Sequence, residues 1–251
     1  MDYHPLKARL NRYLASHVGG EQRPTFYEID RVNPALNELT RNFESIRTEF
    51  ERLLDDRVPM PAYHELDAGE TPISDVVAPQ RRWNVYMLYI LGYRPARNRA
   101  RCPRTCALLE RIPDLVQAFF SVLEPHKPVP RHEGPYLGYL RYHLGLCVPE
   151  RNPPQLIVNG QPYTWRTGEA VLFDDSWPHE VVNRSDGLRA VLIVDVLRPL
   201  PPLPAAVNRF VTQSLMRPLY ARAVARKAEA LARRDLRERT TAGAMENAKP
   251  H

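Results

Sequence analysis

A chain of 251 residues with 43% hydrophobic residues, 25% charged residues and a formal net charge of +6 can bury a sizeable core without covalent staples. Three cysteines and no secretory leader argue against a disulfide framework and point to the cytoplasm, and no apolar run approaches the roughly 18–20 residues of a membrane span. The positive charge is spread along the chain and no nucleic-acid motif focuses it, so no nucleic acid is expected as a partner.

Between residues 33 and 54, Leu36, Leu39, Phe43, Ile46, Phe50 and Leu53 recur at spacings of three or four, the stripe of an amphipathic helix packed on a core. A Pro/Gly/Asp-rich loop runs to Pro79, and Trp83 to Gly92 is β-branched and aromatic, as in a buried strand. Residues 103–118 read as a short helical stretch broken at Pro113. From there, short runs bounded by Pro, Gly, Asn or Asp predict strands over 119–123, 139–148, 155–158, 163–165, 170–173, 179–182 and 188–197. Asn159-Gly160 predicts a type I′ hairpin turn. Strands of this length and spacing imply a small β-barrel or jelly roll. Residues 205–234 return to an apolar and basic helical pattern that Pro218 should break or kink; its alternatives are docking on the barrel or lying on an anionic membrane. The expected organisation is an N-terminal helical extension over 1–80, a β core over 81–200, a basic helical segment over 201–236 and a disordered tail over 237–251.

Two histidine-bearing segments carry the chemistry, Arg131-His132-Glu133-Gly134-Pro135-Tyr136 and Phe173-Asp174-Asp175-Ser176-Trp177-Pro178-His179-Glu180-Val181. Neutral imidazoles at strand edges suit a transition metal with open positions, so His132 and His179 read as metal ligands. Strand alternation puts Arg141 and His143 on one face and Leu140 and Tyr142 on the other, giving one wall of a pocket. Arg189 emerges from the apolar run Leu188 to Val196, where a guanidinium suits bidentate pairing with a carboxylate. His126 reads as a solvated loop residue, and Cys102 and Cys106 as packing, because no second pair follows at zinc spacing.

These segments fall in order with Cys102-Pro103-Arg104-Thr105, Phe120-Ser121, Leu140-Arg141-x-His143-Leu144-Gly145-Leu146, Trp165-x-x-Gly168-Glu169 and Arg198-Pro199. Together they resemble the aspartyl/asparaginyl β-hydroxylase family of Fe(II)- and 2-oxoglutarate-dependent dioxygenases, which includes bacterial lipid hydroxylases. The resemblance implies a mainly β fold with helical additions: a double-stranded β-helix (jelly roll, cupin-like) core with N-terminal helices packed on it and a C-terminal helix. It implies Fe(II), 2-oxoglutarate and O2 as cofactor and cosubstrates. His132 and His179 would hold the iron, Arg189 and Ser121 the cosubstrate's distal carboxylate, and Arg141 and His143 its metal-proximal end or the substrate. Most oxygenases of this fold place a carboxylate where this chain has Gly134. Glu133 should point away, and Asp175 would orient a bound water or an imidazole. Missing the carboxylate, like the animal members, favours β-hydroxylation of Asp or Asn in a peptide or amino-acid-derived substrate. Tyr139, where those members carry an arginine, pulls the other way. The alternatives are an acyl-chain hydroxylase peripheral to the inner face of the membrane through residues 205–234, and a non-catalytic 2-oxoglutarate-binding sensory barrel.

Overall fold

The computed structural model describes residues 4–231 and 233. The strands among them are β1 (Phe26–Tyr27), β2 (Trp83–Ile90), β3 (Leu115–Leu123), β4 (Val129–His132), β5 (Tyr139–Cys147), β6 (Gln155–Val158), β7 (Gln161–Thr164), β8 (Ala170–Phe173), β9 (His179–Val182) and β10 (Arg189–Leu197). They form a six-stranded sheet ordered β1-β8-β5-β10-β3-β2 and a four-stranded sheet ordered β4-β9-β6-β7, all antiparallel. From β3 onward the chain passes from one sheet to the other at every step except the β6–β7 hairpin. That interleaving is the double-stranded β-helix, a jelly roll mainly of β structure with helices added. The hairpin turns at Asn159 and Gly160, whose φ values of 49° and 74° are the two positive angles a type I′ turn requires.

The large sheet is buried on both faces, and period-two alternation sorts its side chains. In β10, Ala190, Leu192, Val194 and Val196 face outward and are covered by Leu36, Leu39, Ile46 and Phe50 of the N-terminal helices. Arg189, Val191, Ile193 and Asp195 take the opposite face, opposite Ser121 of β3 and Arg141 and His143 of β5 in register. The sequence thus builds an oily outer face and an inner face that carries the polar groups.

The helical expectation for 33–54 holds in its apolar stripe but not in its continuity. A 3-10 turn (Pro34–Leu36) and a short helix (Asn37–Arg41) precede the main helix, Phe43–Asp55. The break falls at Asn42, whose side-chain amide donates to the Glu38 carbonyl at 2.8 Å and so competes with the helix's own bonds. The stretch 103–118 also divides. A helix spans Pro103–Leu109, and β3 begins at Leu115 just past Pro113. Pro218 does not stop the C-terminal helix: after Pro202–Val211 the chain continues as a π-helix over Thr212–Ala221, whose wider turn accommodates a residue that cannot donate. Ala221 at its end and Val224, Ala225 and Ala228 beyond it join the inner core, so this segment docks on the barrel. The expected tail over 237–251 lies outside the described residues. Among the described residues no helix is long and apolar enough to cross a membrane.

One buried carboxylate ties the helical layer together. Glu49, 4% exposed, accepts hydrogen bonds from the backbone N–H of Arg104 and Thr105, each at 2.8 Å, and from the Thr105 hydroxyl at 2.7 Å. It caps the first turn of the helix Pro103–Leu109 from a neighbouring helix. Glu49→Ala should therefore cost about 2–3 kcal/mol, as expected when three donors lose a charged acceptor, and urea unfolding will read it.

Candidate active site

β4 and β9 pair so that His132 lies opposite His179, with ring centroids 4.1 Å apart. Each ring is anchored the same way, His132 Nδ1 to the Pro130 carbonyl at 2.8 Å and His179 Nδ1 to the Trp177 carbonyl at 2.9 Å. A carbonyl can only accept, so both Nδ1 atoms carry the proton and both Nε2 lone pairs are left for a ligand. Burial lowers the pKa of both imidazoles; His179 is pushed down to about 3, with the neighbouring His132 adding to the effect. Two neutral rings side by side are the donor set a divalent transition metal takes. No cluster of three or more His, Cys, Asp or Glu able to hold a metal occurs among the described residues.

The space beside Gly134 is filled from the turn that leads into the neighbouring strand β9. A Cβ on Gly134 would lie 2.6 Å from the Asp175 carboxyl carbon, and the Gly134 N–H donates to the Asp175 carbonyl at 2.7 Å. Asp175 is fully buried, and its Oδ2 accepts from the Tyr139 hydroxyl at 3.1 Å and faces Arg141 Nη1 at 3.2 Å. Its Oδ1 has no partner. Burial raises this carboxyl to about 7, against the pull of Arg141. Glycine at 134 is thus a requirement of close approach. Gly134→Ala should cost about 1–3 kcal/mol by overpacking, and combining it with Asp175→Ala should recover most of that loss, so a double-mutant cycle in urea will be clearly non-additive.

Arg141 lines the cavity beside His132 and is already paired within the protein. Its guanidinium forms a two-point pair with Asp195 at 2.8 and 2.9 Å in addition to Asp175. Burial opposes the Arg141 charge, but Asp195 and Asp175 outweigh it and hold the group above its ordinary pKa. His143 shares the face of β5 with Arg141, as alternation predicts, yet sits apart from these ions. It lies against Trp165 (centroids 5.8 Å) and edge-on to Phe173 (5.0 Å). Neither of its ring nitrogens has a partner, and burial, then Arg189, holds its pKa well below the usual range.

Arg189 is the plainest demand for a ligand. It is 3% exposed, its guanidinium stacks 4.3 Å from the Trp165 ring, and its one side-chain hydrogen bond is a 3.4 Å contact to Ser121 Oγ. No carboxylate meets it, its Nε is unpartnered, and burial alone lowers its pKa to about 9. Ser121 Oγ also accepts from Trp83 Nε1 at 2.9 Å, which leaves the hydroxyl proton free to donate. A buried cation, a free hydroxyl proton and the partnerless His143 together fit an organic anion. Sequence reasoning named Arg189, Ser121 and His143; it missed Asp195, Trp83 and Trp165, which hold or line the groups it named.

A cavity of about 500 Å³ opens beside His132. Ile73, Leu91, Val116, Leu197 and Met216 give it apolar walls, and Asp67, Glu70 and the exposed Glu133 also line it. Burial, then Asp67, raises Glu70 to about 7. The loop Pro135 to Gly138, which leads from the ligand strand into β5, is gripped from two sides. Asn11 donates to the Pro135 carbonyl and accepts from the Leu137 N–H, each at 3.1 Å. Asn208 donates to the Gly138 carbonyl at 2.7 Å and accepts from the Tyr136 hydroxyl at 2.5 Å. His126 lies outside the site, on an exposed turn facing Asp186, and Cys102 and Cys106 are core packing.

The family model for aspartyl/asparaginyl β-hydroxylases matches residues 40–199, more than half of the chain. The ornithine lipid ester-linked acyl 2-hydroxylase of Rhizobium tropici is 39% identical over 184 residues, covering 73% of this chain and 63% of that protein. The human aspartate β-hydroxylase domain-containing protein 2 is 31% identical over 185 residues, 69% of this chain and 47% of its own length. Human aspartyl/asparaginyl β-hydroxylase is 34% identical over 122 residues, 47% of this chain and 16% of its own. The chain therefore spans less than two thirds of each of these relatives. Among solved structures, a cupin domain of an XRE-family regulator from Enterobacter cloacae aligns over 45% of the chain at 14% identity and a TM-score of 0.32. On the extent of the family match, this chain belongs to the aspartyl/asparaginyl β-hydroxylase family of hydroxylases.

Proposed function

We propose that the protein is an Fe(II)- and 2-oxoglutarate-dependent dioxygenase that hydroxylates an unactivated methylene of an acyl chain in an amphiphilic lipid. His132 and His179 would hold the iron through Nε2. Arg189 and Ser121 would take the far carboxylate of 2-oxoglutarate, with His143 as a further polar contact. When bound, these partners supply the oxidising power: one atom of O2 goes into succinate as 2-oxoglutarate loses CO2, and the other is inserted into the C–H bond. The chain's own work is orientation and exclusion. Trp83 and Trp165 wall the anion site from water, and Asp175, fixed by Tyr139 and Arg141, presents its free Oδ1 to the ligand side.

The observation that carries the acyl reading is the cavity beside His132, with its apolar walls and its one arginine, Arg141, already paired to Asp195 and Asp175. An acidic side chain would enter that space beside the carboxylates of Asp67, Glu70 and Asp175 without a free cation to meet it, whereas a hydrocarbon chain could lie along the apolar wall of Ile73, Leu91, Val116, Leu197 and Met216. The name of the Rhizobium relative supports the same class. A second reading, β-hydroxylation of Asp or Asn in a peptide, is favoured by glycine at 134.

The test is succinate release by anaerobically Fe(II)-loaded protein given 2-oxoglutarate and oxygen, with detergent-dispersed ornithine lipid or Asp/Asn peptides added. Stimulation by the lipid alone is the expected result. Stimulation by peptide alone would replace the acyl assignment, and 2-oxoglutarate binding without turnover would indicate the sensory barrel.

A further inference from the structure

The exposed large apolar side chains among the described residues are Tyr13, Leu54, Val76, Val77, Leu203 and Phe210, and all but Leu54 lie on three segments that also build or grip the cavity rim. The first is the turn between Ile73 and Trp83, both of which line the cavity. At its tip Val76 and Val77 are 68% and 37% exposed. That tip is rigidly held: the fully buried Lys127 donates Nζ to the carbonyls of Val77 (2.5 Å) and Ala78 (3.2 Å), and the Arg81 N–H closes the turn onto Ala78 at 3.0 Å. A buried ammonium spent on presenting two valines to solvent is a costly arrangement for a surface with no partner.

The other two segments repeat one design. In the helix Pro202–Val211, Asn208 points inward to grip the loop at Gly138, while Phe210, two residues on and so on the opposite side, is 62% exposed together with Leu203 one heptad earlier. In the helix His4–Ala15, Asn11 grips the same loop at Pro135, and Tyr13 faces out two residues later. Each helix clamps the rim with an amide and turns an aromatic ring to solvent. On these three segments Arg9, Arg12, Arg81, Arg82 and Arg209 are exposed against one carboxylate, Asp75, with Arg82 and Arg209 paired to Glu65 and Asp114.

We infer that this rim docks the protein on an anionic phospholipid bilayer, with Val76, Val77, Phe210 and Leu203 entering the interface and the arginines lying at the headgroups. The inference rests on the acyl reading above, because it places the cavity mouth where a lipid chain can slide in without crossing water. Exposed apolar side chains on separate segments that also carry an excess of arginine fit a soft anionic surface.

The experiment is flotation of the full chain with vesicles of phosphatidylcholine alone, or with about one third phosphatidylglycerol, comparing wild type with Val76→Asp/Val77→Asp/Phe210→Asp; bound fraction should fall about tenfold in the variant and on omission of the anionic lipid. Succinate release without lipid, and turnover of detergent-dispersed lipid, should match wild type, since none of the three residues lines the cavity. Wild type that stays unbound to anionic vesicles, or a variant that binds as well as wild type, overturns the docking surface. Turnover of dispersed lipid without vesicle binding would do so while leaving the acyl reading intact. Variant-sensitive binding with no lipid consumed would uphold the surface and remove the acyl reading instead.

Discussion

Arg189→Met should abolish useful cosubstrate binding while making the ligand-free protein more stable. Arg189 has no carboxylate partner in its core, and the nearest polar groups are the Ser121 hydroxyl and the Trp165 ring face. Its charge is therefore tolerated only against the benefit of an incoming anion. Truncating one side of a buried charge pair typically costs 2–5 kcal/mol, so the KM for 2-oxoglutarate should rise on the order of 100-fold or more. Exchanging a buried unpaired cation for an apolar side chain of similar volume should at the same time stabilise the apoprotein by about 1–4 kcal/mol. Cosubstrate titration and urea unfolding on the same preparation check both. A variant that loses stability in parallel with affinity would mean that Arg189 is structural, with an internal partner.

His132→Ala and His179→Ala should each eliminate turnover and Mn(II) binding while leaving the barrel folded. Groups that merely orient metal ligands are worth 10- to 100-fold, so losing one of the two imidazoles proposed as ligands should exceed about 100-fold. Acid sensitivity offers a second readout. His179 is neutral in the fold down to about 3, whereas an unfolded imidazole takes up a proton near its ordinary 6.5. The unfolded chain therefore binds the extra proton in that window, and the apoprotein loses stability as pH falls through it. Without His179 that limb should flatten by up to one proton, about 1.4 kcal/mol per pH unit.

Much of this centre was legible because its logic is periodic or local. The alternation in Leu188 to Val196 sets Arg189 on the inner face, the Asn159-Gly160 pair fixes a hairpin, and His132 and His179 each stand beside turn-forming residues. What was hidden depends on contacts far apart in sequence. Asp195 looks like a polar interruption of a buried strand, and only the β5–β10 register, bringing together residues 54 apart, makes it the partner that consumes Arg141. The bond from Trp83 to Ser121 spans 38 residues, and β1 is two residues that pair only because β8 offers an edge. Helix continuity across Asn42 and the start of β3 were misjudged for a different reason: side-chain competition and a proline turn override propensity over one or two residues.

The grip of Asn11 and Asn208 on one four-residue loop brings the helices His4–Ala15 and Pro202–Val211 to the same spot. Local openings cost less than global unfolding, and here the release of either helix frees the loop that begins three residues after His132. Catalytic competence and global folding should then part company. Activity lost at temperatures where far-ultraviolet circular dichroism still reports an intact barrel, and recovered on cooling, would make this doubly gripped loop a thermal fuse for the centre.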